Sequence, residues 1–524
     1  MTKKISKQLF FLLIILAIAS FFRFYNLGGI NAVPPGLYPD EAMNGNNALE
    51  AIATSEYKLF YPENNGREGL FINIQAMFVK VFGNEPWVLR LPGAIVGVLT
   101  VLGVYFFGSA LFNNISIGLL SSFFTAISFW HINFSRIGFR AIMAPFFLVW
   151  ALYLIILAIN KNDTLNKPLA MNHASWILAA FSGLLFGAGF YTYIAYRGLP
   201  LLIFIIFLVY WLKNNRRQDI WEVFKVFGLF TLIALLPMIA YFMQNPQDFF
   251  GRTSQISVFG GSSPIKDLGV NIIKTIGMFN FSGDHNWRHN FAGNPELYWP
   301  VGIMFIFGIL YGLWGLIQNL KIKNQNDNLK VKNNISEISS SILHFDFLIL
   351  ISWLIIAAIP VIISNEGIPH ALRSILMIPP VFILAGVGAY KLYEISRNRF
   401  SGFYKRHDEF IKNSFILLSA CLIVQTYNYY FLEWGQNPIV KDAFNQNYVD
   451  LGISLNSLPQ DIIKYVVVNT GGVDVRGIPM PAQTVMFITD TFTIKKQVEK
   501  NIHYILPEEE KDIFENNALF FYLR

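Results

Sequence analysis

The sequence predicts a polytopic α-helical membrane protein, and three observations support this fold class. Of the 524 residues, 54% are hydrophobic and only 14% are charged, which is too apolar for an ordinary soluble protein. The mean hydropathy is +0.44. Several apolar stretches approach the roughly 20 residues that a helix needs to cross a bilayer, where the backbone must form its hydrogen bonds internally. We expect about 11 transmembrane helices, near residues 8–25, 88–111, 115–133, 142–160, 175–192, 197–212, 223–243, 299–319, 346–364, 372–391 and 412–431.

Lysine and arginine decide the predicted orientation, because cytoplasmic loops carry an excess of these residues. The N-terminal tail contains Lys3, Lys4 and Lys7, so we place it in the cytoplasm. The same side then receives the basic stretches at 161–167, 213–217, 321–334 and 391–412. The first segment lacks a convincing small-residue cleavage site, so we expect it to remain as a membrane anchor. These basic loops explain the net charge of +7 without a nucleic-acid partner.

Three segments face the outside in this topology: residues 26–87, residues 244–298 and the tail after 431. We therefore divide the chain into a transmembrane domain, 1–431, and a small external α/β domain, 432–524. The tail contains the β-type runs YVVVN, VMFIT, IHYIL and ALFFYL between polar and helical stretches, but no catalytic signature. The single cysteine, Cys421, lies in the last predicted span, which excludes an intramolecular disulfide, thiol catalysis and a zinc-thiolate cluster.

The first external segment contains two amphipathic helical patterns. The stretch DEAMNGNNALEAIATSE repeats apolar residues at near-helical spacing, and REGLFINIQAMFVKVFG does the same, as interfacial helices do. We expect both helices beside the membrane, with the adjacent acids Asp40 and Glu41 at the start of the first. Aspartate is a favoured N-cap residue, and acids suit the positive end of the helix dipole. Three roles are therefore open for Asp40: helix cap, general base, or both.

Three longer stretches resemble a known family. They are PPGLYPDEAMNGNNALEAI, NNGREGLFINIQAMFVKVFGNEPWVLRLPGAIVGVLTVLGVY and FWHINFSRIGFRAIMAPFF. Together they are similar to the polyprenyl-phosphate-sugar-dependent glycosyltransferases, which share the GT-C fold and include protein O-mannosyltransferases and lipid A aminoarabinose transferases. The resemblance runs from residue 8 to about residue 391 and covers the tail only weakly.

This resemblance implies a donor sugar on a polyprenyl phosphate in the outer leaflet of the cell membrane, and transfer to a hydroxyl of a protein, lipid or glycan. Asp40 matches the family's base, which implies a single, inverting displacement. That chemistry needs a carboxylate to remove the acceptor proton and cations to hold the leaving phosphate. Glu41 is expected to orient Asp40 or a substrate hydroxyl. No cofactor is implied.

Arginines at the external ends of the predicted spans are candidate phosphate ligands. Arg136 matches the family's arginine after the third span and is the first choice. Arg67 occupies the place of a basic residue that the family commonly follows with Pro-Pro-Leu, whereas here the run is REGL. Arg140, Arg197 and Arg373 are further candidates, although each alone also suits an interfacial anchor.

The second external segment carries FSGDHNWRHNFAGNPELY, which resembles a GDxNxRHN loop of bacterial members of this group. Its glycine and asparagines favour a loop over a helix, so His285 and His289 are not expected to bind a metal as an i, i+4 pair. We expect no metal site. The loop should order or cover the substrate, with Asp284 and Arg288 as mutual partners. His370 is a further candidate that equally suits a structural interfacial histidine.

Two other function classes fit parts of the sequence. A lipid-linked sugar transporter or flippase would use the same arginines, but such proteins often show an internal repeat, and none is visible. A non-catalytic subunit of an envelope assembly would explain the external tail, but it would leave the Asp-Glu pair and the arginines unused. Reconstitution with labelled lipid-linked sugar distinguishes the three classes. A glycosyltransferase transfers the sugar, a flippase moves the lipid across the membrane, and a non-catalytic subunit does neither.

Overall fold

The computed structural model describes residues 2–163, 172–213, 217–249, 258–260, 263–326, 335–513 and 518–524. Parts of the expected cytoplasmic loops, at 164–171, 214–216 and 327–334, lie outside these residues, as do 250–257 and 261–262 of the second external segment.

The structure is predominantly helical. The helices of the membrane part are α1 Thr2–Phe24, α2 Pro39–Thr54, α3 Leu70–Phe82, α4 Pro86–Leu111, α5 Ile115–Ala126, α6 Phe129–Arg136, α7 Met143–Asp163, α8 His173–Gly189, α9 Pro200–Lys213, α10 Arg217–Gln244, α11 Pro264–Gly277, α12 Trp299–Asn326, α13 Ile335–Ile362, α14 Ile378–Arg399, α15 Ser401–Arg406 and α16 Asp408–Tyr427. A π-helical segment, Asn428–Trp434, follows α16 directly. Two short strands, β1 Phe60–Tyr61 and β2 Arg67–Glu68, pair in antiparallel fashion before α3.

Within the described residues, nine helices are long and apolar enough to cross a membrane. The bent pair α5 and α6, which meets at 60°, raises the number to ten if it forms one span. The shorter apolar helix α8 coincides with the predicted span at 175–192. The polytopic helical fold is thereby confirmed, while the count of 11 spans stays a prediction.

The helices around α4 form the centre of the bundle. Helix α4 packs against α1, α5 and α7, and α14 closes the bundle against α5 and α12. These contacts are mainly apolar. Every residue of α14 from Ile378 to Gly388 is buried. The start of α2, the residues just before α7 and the segment before α14 line one common cavity.

The two helices predicted in the first external segment are present as α2 and α3, but α2 does not lie on the bundle as an interfacial helix. It is enclosed by α3 and by helix α19, Gln483–Thr489, of the C-terminal region. Its polar face is buried too: Asn46 Nδ2 donates to the Gln483 side chain at 2.9 Å and to its carbonyl at 3.0 Å. The polar residues between the apolar ones therefore bind protein rather than water.

The C-terminal region contains a three-stranded parallel sheet in the order β6-β3-β7. Its elements are α17 Pro438–Ala443, α18 Gln446–Ser457, β3 Lys464–Val468, β4 Asp474–Val475, β5 Ile478–Pro479, α19, α20 Ile494–Lys500, β6 Ile502–Ile505 and β7 Leu519–Leu523. The predicted strands YVVVN, IHYIL and ALFFYL are confirmed as β3, β6 and β7. The strand predicted at VMFIT is wrong, because this run lies in α19. A short apolar run buried on all sides has no period that separates strand from helix.

Candidate active site

A cavity of about 700 Å³ lies where the first and second external segments meet residues 366–373 and the C-terminal region. Among the described residues, its charged and imidazole lining consists of Asp40, Arg67, Arg140, Arg288, His289, Glu366, His370 and Arg373. The C-terminal region contributes Asn445, Gly471, Gly472, Val473, Met480 and Pro481. Four guanidinium groups against two carboxylates give this part of the cavity an excess of positive charge, which suits an anion.

Asp40 faces this cavity from the first turn of α2. The N-cap of the helix is Tyr38 and its first residue is Pro39, so the structure does not place Asp40 at the expected capping position. Among the described residues, the carboxylate has one side-chain hydrogen bond, from Asn64 Nδ2 to Oδ1 at 2.7 Å. The other oxygen, Oδ2, is left to interact with whatever occupies the cavity.

Asn64 is held by an unusual turn between β1 and β2. Asn64, Asn65 and Gly66 are consecutive left-handed residues, with φ of 53°, 62° and 79°. Asparagine and glycine are the residue types that adopt this conformation most readily. The turn therefore orients the carboxamide of Asn64 toward Asp40. The sequence contains the signal as NNG, but nothing in it links that turn to Asp40.

Glu41 does not line the cavity, in contrast to its expected role beside Asp40. Its side chain is fully buried and forms an ion pair with Arg90, from Nε to Oε2 at 2.9 Å. The same oxygen accepts the backbone N–H of Gly138 at 2.8 Å. Arg90 also donates to the carbonyls of Pro34 and Gly36 at 2.6 and 2.8 Å. Glu41 and Arg90 thus fix the chain leading into α2, and Asp40 with it.

Arg67 and Arg140 line the cavity as expected. Arg67 donates to Asn44 Oδ1 at 2.7 Å and to Asn47 Oδ1 at 2.5 Å, so both amides of α2 fix its guanidinium. Burial lowers the pKa of Arg67 to about 10, and the nearby charge of Arg140 contributes to the lowering. Arg67 stays protonated at neutral pH, and no carboxylate among the described residues forms an ion pair with it.

Arg140 and Arg373 each have an acidic partner. Arg140 Nε lies 2.9 Å from Glu68 Oε2, and Arg373 NH2 lies 3.5 Å from Glu366 Oε2. Arg373 also bonds to Ser364 Oγ and to the Glu366 carbonyl. Their charge is therefore partly neutralised, and an incoming anion would have to compete with a carboxylate.

Arg288 is the cavity arginine whose guanidinium is most available. It lies over the ring of Tyr38, 4.0 Å from the centroid, and its Nε donates to Asn286 Oδ1 at 3.2 Å. No ion pair with a carboxylate is formed within the described residues. A guanidinium stacked on an aromatic ring keeps its edge free for a bidentate anion.

The structure places Arg136, the first-choice phosphate ligand of the sequence analysis, outside the cavity. It is fully buried and donates to the backbone carbonyls of Val33, Phe22, Tyr25 and Asn26 at 2.6 to 2.9 Å. Its guanidinium is saturated by the chain that links α1 to α2, so the geometry does not support the expected role.

Arg197 is also absent from the described lining. It contacts Glu68 at 3.6 Å, donates to the Phe249 carbonyl at 2.8 Å and lies 4.5 Å above the Phe249 ring centroid. Through Glu68 it is a neighbour of Arg140. Arg197 therefore shares the carboxylate of Glu68 with Arg140 instead of lining the cavity.

Asp284, His289 and His370 converge at the cavity wall. Asp284 Oδ2 lies 3.0 Å from His289 Nδ1 and 3.8 Å from His370 Nδ1, and it accepts the Ala371 N–H at 2.8 Å. Burial alone would raise the pKa of Asp284, but the hydrogen bond and charge of His289 hold it below its usual value. The expected pairing of Asp284 with Arg288 is wrong, because Arg288 stacks on Tyr38 instead.

The expected loop around Asp284 is confirmed, since residues 281–297 form turns rather than a helix. The Gly293 N–H donates to the Asp284 carbonyl at 2.8 Å, which closes the loop. The Asp284 N–H donates to Glu296 Oε1 at 3.1 Å. His285 lies near Ser282 Oγ, at 3.4 Å, rather than in the cluster. His289 instead contacts His370, with ring centroids 4.8 Å apart, and these residues are too distant in sequence for spacing to reveal the contact.

Comparisons with known proteins support the resemblance found in the sequence. Residues 70–241 match a family model described as dolichyl-phosphate-mannose-protein mannosyltransferase. Among solved structures, the chain is similar to the archaeal oligosaccharyltransferase AglB from Archaeoglobus fulgidus, in complex with an inhibitory peptide and a dolichol-phosphate. The TM-score is 0.57 at 14% identity, covering 93% of this chain and 64% of AglB, so the chain spans less than two thirds of AglB. The chain has the GT-C fold.

A second similar structure is ArnT from Cupriavidus metallidurans bound to undecaprenyl phosphate, with a TM-score of 0.50 and 12% identity, covering 98% of this chain and 92% of ArnT. No curated protein matches the chain significantly. The expected fold is confirmed by these matches, and the match to the mannosyltransferase family model agrees with the expected enzyme class, a glycosyltransferase. They also support a multi-pass integral membrane protein.

Proposed function

We propose that this GT-C chain transfers a sugar from a polyprenyl-phosphate donor to an acceptor hydroxyl on the external side of the cell membrane. The observation that carries the proposal is the cavity itself, which joins one carboxylate with a free oxygen, Asp40, to a set of arginines. The structures of AglB and ArnT contain dolichol-phosphate and undecaprenyl phosphate, respectively. Both lipids carry the type of anion that these arginines suit.

Asp40 is the general base of the proposed reaction. Asn64 donates to Oδ1, which fixes the carboxylate and leaves Oδ2 to accept the proton of the acceptor hydroxyl. As that proton moves to Asp40, the acceptor oxygen forms a bond to the anomeric carbon. The bond from that carbon to the phosphate oxygen breaks, and the polyprenyl phosphate leaves with the electron pair. A single displacement of this kind inverts the anomeric centre.

Arg288 is the proposed main ligand of the donor phosphate, with Arg67 and Arg140 as neighbours. Negative charge develops on the phosphate as the sugar leaves, so preorganised cations lower the barrier. Arg288 has no competing carboxylate within the described residues, and its ring contact with Tyr38 places it next to the start of α2. This assignment replaces Arg136, whose guanidinium is used by backbone carbonyls.

The proposed topology puts the C-terminal region on the same side as Asp40. Residues of both contribute to one cavity, and Arg476 of the C-terminal region forms ion pairs with Glu50 of α2 and with Glu63. With the N-terminus in the cytoplasm, as the basic loops predict, that side is external.

The proposal is tested by mass analysis of envelope glycans, glycoproteins and lipids from cells that contain the protein, lack it, or carry Asp40→Asn. Exposed Asp442→Asn is the matched control. We expect one hexose or pentose modification to disappear in the deletion strain and in Asp40→Asn, and to persist in Asp442→Asn. An unchanged profile in the deletion strain, with labelled lipid-linked sugar crossing liposome membranes instead, would favour a flippase and contradict the proposal.

A further inference from the structure

We infer that Asp284, His289 and His370 form a binding site for one divalent transition-metal ion at the cavity wall. One side-chain atom from each of the three lies within 4.8 Å of the other two. The three residues come from two segments, the loop at 284–289 and the segment before α14. The metal site itself does not depend on the proposed function, whereas its action on the donor phosphate does.

The distances are compatible with a metal ion bound between these ligand atoms. Zinc binds nitrogen and carboxylate oxygen at about 2.0 to 2.2 Å, so two ligand atoms of a tetrahedral site lie about 3.4 Å apart. Asp284 Oδ2 is 3.0 Å from His289 Nδ1 and 3.8 Å from His370 Nδ1, on either side of that value. The contact to His370 is too long for a hydrogen bond.

His370 Nδ1 is set up as a lone-pair donor. It accepts the backbone N–H of Arg373 at 3.4 Å, so this nitrogen carries no proton in that arrangement, and the contact is long enough for a metal ion to displace it. An unprotonated Nδ1 then faces a carboxylate oxygen across 3.8 Å, and a cation between them would satisfy both. The His370 side chain is 15% exposed, which gives its ring room to turn toward a metal.

The carboxylate is held in place for this role. Asp284 Oδ2 accepts the N–H of Ala371, and Oδ1 accepts the N–H of Asn286, each at 2.8 Å. The bond from Ala371 connects the two segments that supply the ligands, so the site does not depend on the metal to bring them together. Outer contacts of this kind orient metal ligands.

The donor set determines which ions fit. Two imidazoles and one carboxylate suit Zn²⁺, Fe²⁺ or Co²⁺, whereas Mg²⁺ and Ca²⁺ prefer oxygen ligands. Three protein ligands leave at least one coordination position open. His289 and His370 both line the cavity that contains Arg288, so the open side faces the place proposed for the donor phosphate. There the ion would bind a phosphate oxygen and withdraw charge from it as a Lewis acid.

The test measures metal binding directly in the purified full-length protein, with Zn²⁺ content determined by mass spectrometry and Co²⁺ by its visible absorption. His370→Ala removes a partly exposed ligand, and His285→Ala is the matched control from the same loop. We expect about one ion per chain in the parent and in His285→Ala, and affinity at least about 100-fold weaker in His370→Ala. Excess Mg²⁺ should not displace the ion.

Two results would overturn the inference: no Zn²⁺ or Co²⁺ bound by the parent, or equal binding by His370→Ala. A thermal unfolding curve without metal, unchanged between His370→Ala and the parent, confirms that the variant is folded. Sugar transfer measured in parallel separates the two proposals. Loss of metal binding with transfer retained would refute only the proposed action of the ion on the phosphate.

Discussion

At the scale of single residues, the structure distinguishes two adjacent acids that the sequence leaves equivalent. Asp40 and Glu41 are adjacent, yet Asp40 faces the cavity while Glu41 is buried against Arg90. The difference follows from helical geometry, because successive residues point about 100° apart on a helix. The resemblance points to this segment, and only packing shows which of its two acids lines the cavity.

The arginines give the first prediction. Arg288→Ala should weaken donor-lipid binding about 10- to 100-fold, because a charge-assisted hydrogen bond to phosphate contributes about 1.5 to 3 kcal/mol. Arg136→Ala is the matched comparison. It should lower thermal stability instead, because it leaves several buried carbonyls without a donor. Binding of labelled polyprenyl phosphate and thermal unfolding in detergent measure the two effects, and an exchange of phenotypes would restore Arg136 as the ligand.

At the scale of elements, Arg476 is one of the side chains that join the C-terminal region to the first external segment. Arg476 contacts both oxygens of Glu50 at 2.9 Å and Glu63 Oε1 at 2.7 Å. Burial alone would raise the pKa of Glu63, but the hydrogen bond and charge of Arg476 keep it below its usual value. Glu63 lies next to Asn64 in the turn that holds Asp40. We therefore expect Arg476 to act as a positioning residue for the candidate base.

The second prediction concerns this contact. Arg476→Gln should lower transfer by about 5-fold, since a partly exposed ion pair contributes about 1 kcal/mol or less. It should also increase proteolysis near residues 470–480, which a role confined to local stability of the turn would not produce. Lys496→Gln is the control, because it removes the two ion pairs that Lys496 forms with Asp490 and Glu499 within the C-terminal region. Equal proteolysis of the two variants would show that Arg476 does not fasten the region.

The elements also show which parts of the structure can be predicted from the sequence. Spans, α2, α3 and three strands follow from hydropathy, periodicity and β-type runs. The helix at VMFIT and the burial of α2 do not, because both depend on contacts between residues more than 400 positions apart, such as Asn46 and Gln483. The same limit hides the pairing of His289 with His370 and of Arg90 with Glu41. Local patterns determine elements, whereas the site is assembled from distant segments.

At the scale of the whole molecule, the shared cavity determines which segments lie on one side of the membrane. Asp40, Arg288, His370 and Gly471 all line it, so their segments must be on the same side. The basic N-terminal tail and the basic loops occupy the opposite side in the predicted topology. In the proposed reaction, the lipid donor would reach the site from the bilayer and the acceptor would reach it from outside.

The third prediction tests this topology. Reporter fusions at residue 330, which falls between α12 and α13 in the chain, and at residue 524 should report opposite sides of the membrane, with residue 524 external. The reason is that an odd number of spans separates these two positions in the predicted order. Identical locations would contradict the predicted order of spans and the external location of the site.

The most direct test of the central claim is the turnover of Asp40→Asn. Asparagine retains an oxygen that accepts the hydrogen bond from Asn64, and Asp40 is not the helix cap, so folding should be preserved. A positioned general base contributes about 10²- to 10⁴-fold. We predict a loss of transfer within that range, with donor-lipid binding within about twofold of the parent. Turnover within a few-fold of the parent would contradict the assignment of Asp40 as the base.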